Sequence, residues 1–331
     1  MSTKWCGLLF CIVRPVLIGL LLVGFPSTSF QSDDALRPLT EQVGFHVQFR
    51  EETVSHSVMG VFVVPGEDLP LRAWDNTNLD AFTLHCEAGQ ITQRCLNHWM
   101  WQAPEKPGLY PIRILHPNRQ NTVTLNVFVL VPKHQIRGGY LKGYPIGQYP
   151  NKPYKNLQDY LPPAGLIEVT TENEETWLSP HFQLGQFVCK GEGGYPKYVI
   201  LKEKLLLKLE TILQSLSYDG FECETFSILS GYRTPHYNKA IGNVQYSRHI
   251  YGGAADIFID VHPRDGMMDD LNKDDRIDFQ DAKILYDHIN FLSDHPDFHL
   301  SQGGLGAYDE TQSHGPFVHV DVRGYRARWG L

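Results

Sequence analysis

Around residue 250 the sequence sets a histidine and a carboxylate seven residues apart and fills the gap largely with small residues, in Ser247-Arg248-His249-Ile250-Tyr251-Gly252-Gly253-Ala254-Ala255-Asp256. A neutral imidazole nitrogen and a hard anionic oxygen brought this close suit zinc, provided that a third protein ligand leaves the fourth position open to water. His319 can supply that ligand. The run Gly315-Pro316-Phe317-Val318-His319-Val320-Asp321-Val322-Arg323 has the two-residue period of a strand, with Val318, Val320 and Val322 on one face and His319 and Asp321 on the other. Phe226–Leu229, leading to Arg233, and Ala255–Ile259, carrying Asp256, read as two further strands. Three strands converging on one metal imply an α+β domain with an antiparallel sheet lining a cleft. His181, His236, His262, His288, His295 and His299 lack such surroundings and read as structural or surface residues. Tyr325, Arg326, Arg328 and Trp329 read as residues that close the fold.

The pattern S-x-H-x-x-G-x-A-x-D over Ser247 to Asp256, the late H-x-D at His319 and Asp321, and Ser230-Gly231-Tyr232-Arg233-Thr234-Pro235 upstream resemble the zinc D-Ala-D-Ala metallopeptidases and murein endopeptidases. Their domain shares its fold with the hedgehog signalling domain. The resemblance covers the C-terminal half only, and implies a hedgehog/DD-peptidase-like zinc domain over residues 166–331 that acts on peptidoglycan peptides. His249, Asp256 and His319 are the implied zinc ligands. Arg233 would face the developing oxyanion or a substrate carboxylate, roles that suit a guanidinium, and Ser247 would hydrogen-bond the substrate or a ligand. Many relatives place Glu, Asp or His two or three residues before the last ligand, where this chain has Pro316 and Phe317. That leaves Asp321 and His314 as candidates for the general base. Two functions stay open: an exported zinc metallopeptidase, of D,D-carboxypeptidase or murein endopeptidase type, and a non-catalytic zinc-containing module that binds cell wall or protein.

A chain of 331 residues has room for about two domains. Its net charge of −8, with no cluster of basic residues, argues against a nucleic-acid partner or a polybasic membrane patch. Residues 1–29 read as a signal peptide: Lys4 and Arg14 accompany the apolar run Val16–Phe25, which ends in Pro26-Ser27-Thr28-Ser29. The alternative is an uncleaved anchor over Trp5–Phe25. Either way the body is exported, to a periplasmic or extracellular location, and a cleaved signal meets the membrane only in transit. Past the signal four cysteines remain, and in an oxidising compartment nearness in sequence favours Cys86 with Cys95 and Cys189 with Cys223; three pairings, or buried free thiols, are open.

Residues 43–132 read as an immunoglobulin-like β-sandwich, with strands at Gly44–Arg50, Val58–Val64, Leu69–Trp74, Thr83–Cys86, Tyr110–Leu115 and Thr122–Val131. Trp99 and Trp101 read as core aromatics ahead of a turn. Residues 133–165, rich in Tyr, Gly, Pro and Asn, read as a linker that wraps over a surface. Beyond a strand at Ile167–Thr170, Leu201, Leu205, Leu209, Ile212, Leu213 and Leu216 have helical spacing within Tyr195–Leu216. The acidic run from Asp270 to Asp281 matches a calcium loop, with Asp270, Asn272, Asp274, Arg276 and Asp281 at ligand positions. Asp275 stands where glycine is usual and Asp281 where glutamate is usual, and a solvated acidic loop is the alternative. A helix bearing Ala282, Leu285, Ile289 and Leu292 on one face should follow.

Overall fold

Burial along Asp68–Trp74 alternates, with Leu69, Leu71 and Ala73 inward and Asp68, Pro70 and Arg72 outward, as a strand with one wet face requires. The computed structural model describes residues 43–76, 81–117, 121–191, 193–295 and 302–330; the signal peptide expected over 1–29 lies outside them. Asp68–Trp74 is central in an antiparallel five-stranded sheet ordered Glu52–Val54, His46–Phe49, Asp68–Trp74, His98–Gln102, Gln90–Cys95. A four-stranded sheet runs Val58–Val63, Thr122–Val129, Gly108–Leu115, Thr83–Cys86, its first pair parallel. The chain is thus mostly β. Trp99 and Trp101, expected as core aromatics, are buried, and the stretch that carries them is the strand His98–Gln102.

The expected linker begins and ends at one place, because Val131 pairs with Leu166 and Pro132 with Gly165 in antiparallel register. Between these pairs the chain carries short strands at Tyr140–Leu141 and Tyr144–Pro145 and single 3-10 turns at Tyr154–Asn156 and Gln158–Tyr160. The described residues fall in one compact unit, and most of their buried apolar side chains from Val43 to Val322 belong to one core, with Tyr160, Ile250 and Tyr251 forming a second cluster. Glu203 ties the two ends of that core together, accepting from Arg50 Nη1 at 3.2 Å and from the Phe62 amide at 3.1 Å.

Helix α1, Glu203–Tyr218, buries the expected leucine face and starts later than the periodicity suggests, because Lys197–Val199 is drawn into a strand against Gly165–Val169. Helix α2, Pro235–Ala240, is capped by Thr234, whose hydroxyl accepts from the Tyr237 amide, with Pro235 at the first helical position. Helix α3, Phe279–Asp294, packs Ala282, Leu285, Ile289 and Leu292 against the strands Gly304–Tyr308 and Phe317–Asp321. These two strands belong to the C-terminal sheet, ordered Ser227–Ser230, Ala254–Phe258, Phe317–Asp321, Gly304–Tyr308, Ala327–Trp329, antiparallel except for the last pair. Among the described residues no helix is long and apolar enough to cross a membrane.

The two expected disulfides are not formed, and all four cysteines are free thiols. Cys86 and Cys95 lie on strands of different sheets. Cys189 is buried with its sulfur accepting from the Thr234 amide, and Cys223 donates to the Thr225 carbonyl at 3.2 Å. Burial pushes the Cys223 thiol up to about 12, so it stays protonated and unreactive at neutral pH.

Candidate metal centre

Antiparallel register sets Asp256 directly opposite His319 on neighbouring strands, and Ser230 opposite Asp256 on the other side. His249 arrives from a 3-10 turn, Arg248–Tyr251, that stops at Gly252 in the left-handed conformation, φ 65°. A Cβ at Gly252 would collide with the Ile200 carbonyl, so glycine is required for the turn to enter the Asp256 strand. His249 Nε2, Asp256 Oδ1 and His319 Nδ1 then converge, with separations of 3.2 Å between the imidazoles, 3.2 Å from His249 to Asp256 and 2.8 Å from His319 to Asp256. Ligands roughly 2.0–2.1 Å from a tetrahedral zinc stand about 3.3 Å apart, so this triangle fits the ion. Among the described residues, these three form the cluster of His, Cys, Asp and Glu able to hold a metal.

Each donor is oriented from behind. His249 Nδ1 lies 2.7 Å from the Gly231 carbonyl, which fixes Nε2 as the free nitrogen. His319 Nε2 lies 3.1 Å from Asp321 Oδ2, which turns Nδ1 towards the cluster. Arg233 Nη2 donates to Asp256 Oδ2 at 2.5 Å and its Nε to Ser230 Oγ at 2.7 Å, leaving Oδ1 to face the histidines. Burial alone would raise the Asp256 carboxyl, but the facing imidazoles hold it well below the usual carboxylate range. Burial lowers His249, keeping it neutral and ready to ligate. For His319 burial acts downward too, yet the bonds to Asp256 and Asp321 win and raise it.

The trio opens onto a cleft of about 430 Å³ whose wall includes Arg233, Ser247, Phe317, Arg323, Tyr325 and Trp329. Arg233 and Ser247 thus fall where expected. Asp321 does not. Its carboxylate is fully buried behind His319, taken by Arg323, the Gly304 amide at 2.8 Å and His319. His314 lies outside the cleft wall, with Nδ1 2.9 Å from the Gly315 carbonyl and its ring edge-on to Phe317. Phe317 itself occupies the wall, stacked on Tyr308 at 4.7 Å.

Trp329 and Tyr325, expected merely to close the fold, line the cleft, and the Trp329 ring lies 5.3 Å from His319. The indole is admitted by Gly306, its register partner, where a Cβ would strike the ring. The spacing Gly303-Gly304-Leu305-Gly306 was the available signal. Tyr154 and Tyr160, from the stretch read as a linker, also reach the wall. Arg248 fastens that stretch by donating to the Asp159 carbonyl at 2.8 Å and lying 4.4 Å over the Tyr160 ring.

The calcium loop is not supported. Asp270, Asp274 and Asp281 do not come together as a metal cluster. Asp270 and Asn272 side chains accept from the Asp274 amide, Asp270 also from that of Asp275, and Asp274 from that of Arg276, which offers no carboxylate of its own. Asp281 is fully buried as half of a capping box with Asp278 that starts α3, and also accepts from the Leu271 and Asn272 amides. Asp275 does adopt the left-handed conformation, φ 65°, that its place in the pattern required.

Two imidazoles and a carboxylate, one histidine on a 3-10 turn and the other two residues on neighbouring strands, meet at the floor of a cleft as a set able to hold a metal ion with one position left open. Residues 161–285 match the model of the Peptidase M15 family, the zinc D-Ala-D-Ala peptidases, in the C-terminal region of the chain. The match takes in Arg233, Ser247, His249 and Asp256 and ends before His319. M15 is a metallopeptidase family, and the His–Asp–His cluster is consistent with its zinc dependence. No curated protein matches the chain.

Proposed function

We propose that the protein is an exported zinc metallopeptidase that cleaves D-amino-acid peptide bonds in peptidoglycan stem peptides or cross-links, from the periplasm or the cell exterior. The convergence of His249 Nε2, Asp256 Oδ1 and His319 Nδ1 on the cleft floor carries this reading. These three residues would hold zinc, which would supply polarisation of a carbonyl and acidification of a water. Arg233 keeps Asp256 turned towards the histidines and presents a guanidinium where an oxyanion or carboxylate would lie. Asp321 acts through His319, fixing which ring nitrogen faces the cleft, rather than as the base. Ser247 stands in the wall as a hydroxyl for the substrate. The N-terminal sheets are read as an immunoglobulin-like sandwich over 43–132, joined through 133–165 to the zinc domain at 166–331, with 1–29 as the export signal.

A second reading has one observation in its favour: among the described residues, the cleft wall holds no carboxylate besides Asp256. Phe317 fills a place where relatives carry a base, so a non-catalytic zinc module that binds cell wall or protein is the alternative. Digestion of purified murein with the zinc-loaded protein decides between them. Released muropeptide fragments are expected; intact murein in the presence of retained zinc would establish the binding module.

A further inference from the structure

The cleft differs in charge from the chain that surrounds it. The protein as a whole carries −8, yet the wall holds Arg233, Arg248 and Arg323 against one carboxylate, Asp256, which belongs to the metal cluster. Arg248 is buried under Tyr160 and Tyr251 and holds the Asp159 carbonyl. Arg233 is tied to Asp256 and Ser230. Arg323 is the most accessible of the three, its side chain 17 % exposed against 12 % for Arg233 and 2 % for Arg248.

Its geometry is that of a prepared donor. Asp321 accepts from Arg323 Nε and Nη2, at 2.9 and 2.5 Å to Oδ2, which fixes the plane of the guanidinium and leaves Nη1 as the end turned away from Asp321. The group lies 5.0 Å from the Trp329 ring centroid and 5.7 Å from that of Tyr325, both in the cleft wall. Asp321 neutralises Arg323 only from the buried side. An extended peptide advances about 3.3–3.6 Å per residue. Arg323 and His319 both line the cleft, 5.0 and 5.3 Å from the Trp329 ring, so a carboxylate within about three residues of a carbonyl at the metal cluster can meet the guanidinium.

We infer that Arg323, flanked by Trp329 and Tyr325, is a specificity-determining anchor for a free carboxylate on the peptide, so that the cleft selects acidic peptides. This deepens the proposed function and rests on its peptide substrate, but not on cleavage. The carboxylate can be the terminal one or an acidic side chain beside the bond. Fixing the guanidinium in advance lowers the ordering cost of binding, and burying the carboxylate beside it in a metal-containing cleft strengthens the attraction.

The test uses the full zinc-loaded chain and a synthetic D-Ala-D-Ala peptide bearing a D-glutamyl side chain. The peptide is made in three forms: both carboxylates free, the terminus amidated, or the side chain amidated. Binding is read by stopped-flow tryptophan fluorescence within the first seconds. One amidation should weaken wild-type binding about tenfold or more, and which one identifies the source of the carboxylate. In Arg323→Gln that discrimination should shrink to within about twofold. Because Arg323 also braces Asp321, zinc is measured in each variant; Arg323→Lys, which keeps the charge, should retain zinc and part of the discrimination. Equal binding of all three forms by the wild type, no binding of any form, or full discrimination in zinc-replete Arg323→Gln would overturn the inference. Binding with discrimination but no cleavage would leave it standing and remove the peptidase reading instead.

Discussion

Asp68–Trp74 in the N-terminal sheet and Phe317–Asp321 in the C-terminal sheet are both short strands with an inward i, i+2 row, and they use that row for opposite purposes. The first buries Leu69, Leu71 and Ala73. The second buries His319 and Asp321 on the side of the cleft, and Val318 and Val320 on its other face, so that all five of its residues are inaccessible or nearly so. Removing apolar groups from water gives the first strand its stability directly. Buried imidazole and carboxylate must instead be matched group by group, and His319 is matched on both nitrogens, by Asp256 and by Asp321. Leu69, Leu71 and Ala73 serve packing, whereas His319 and Asp321 cannot be changed without disturbing the cluster that they hold together.

The largest expected effect tests whether the C-terminal trio is the metal site at all. His249→Ala should reduce bound zinc from about one per chain to near none, since three protein ligands are the least that an open zinc site employs. Metal analysis of the purified variant checks this, and stoichiometric zinc in the variant would move the site elsewhere. Next in size is Trp101→Ala. The indole is wholly buried and donates to the Ala88 carbonyl at 2.9 Å, so the loss should be about 3–5 kcal/mol by denaturant titration. The folded variant should hold as much zinc as the wild type. Zinc lost from molecules that are still folded would show that the two sheets do not divide their labour in this way.

Asp321→Asn comes third. Removing the carboxylate that orients His319 should weaken zinc affinity or activity about 10- to 100-fold. A base would behave differently, with undiminished zinc affinity and a rate loss of about a hundred- to ten-thousand-fold. Zinc titration beside murein cleavage separates the two roles.

The same contrast explains what could be read beforehand. Runs of β-branched and aromatic residues between turn signals gave most N-terminal strands, and missed Gln90–Cys95, whose six side chains are all exposed and mostly polar. Ligand chemistry, spacing and the motif resemblance singled out His249, Asp256 and His319, which the fold brings together as one cluster. Asp321 lies on the expected face, but a face does not say whether a carboxylate points into the cleft or behind a ligand, and its bonds to His319 and Arg323 set it behind His319. Trp329 was expected only to close the fold, because its place in the cleft wall depends on parallel pairing with Gly304–Tyr308, a contact that no local pattern announces. The disulfides failed for a related reason: Cys86 and Cys95 are neighbours in sequence, yet the chain crosses to another sheet between them.

The smallest expected effect concerns the boundary between the two regions, where the hairpin Trp177–Ser179 and Phe182–Gln183 lies against Val58–Val63. There Glu210 of α1, wholly buried, accepts from the His181 amide at 3.0 Å and stands 2.7 Å from its Nδ1. The bond to Glu210 raises His181 above its ordinary 6.5 in spite of burial. Burial would raise Glu210, but His181 and Ser179 hold it below its ordinary 4.5. His56, lowered by burial, faces the same carboxylate, and Glu224 adds to the upward pull on His181. A raised histidine gives its full stabilisation below 6.5 and loses it as the pH climbs through the folded value. A depressed glutamate keeps its contribution above 4.5 and loses it as the pH falls through the folded value. Stability from this pair should therefore decline as the pH rises from 6.5, by about 1 kcal/mol or less, because His181 is half exposed and water screens it. Melting curves of wild type and His181→Gln across that window check the sign: the wild type should fall relative to the variant as the pH rises. If the two curves run parallel, the boundary is held by its apolar contacts and by bonds such as Asn126 Nδ2 to the Trp177 carbonyl at 2.8 Å, and the buried charge contributes nothing that pH can remove.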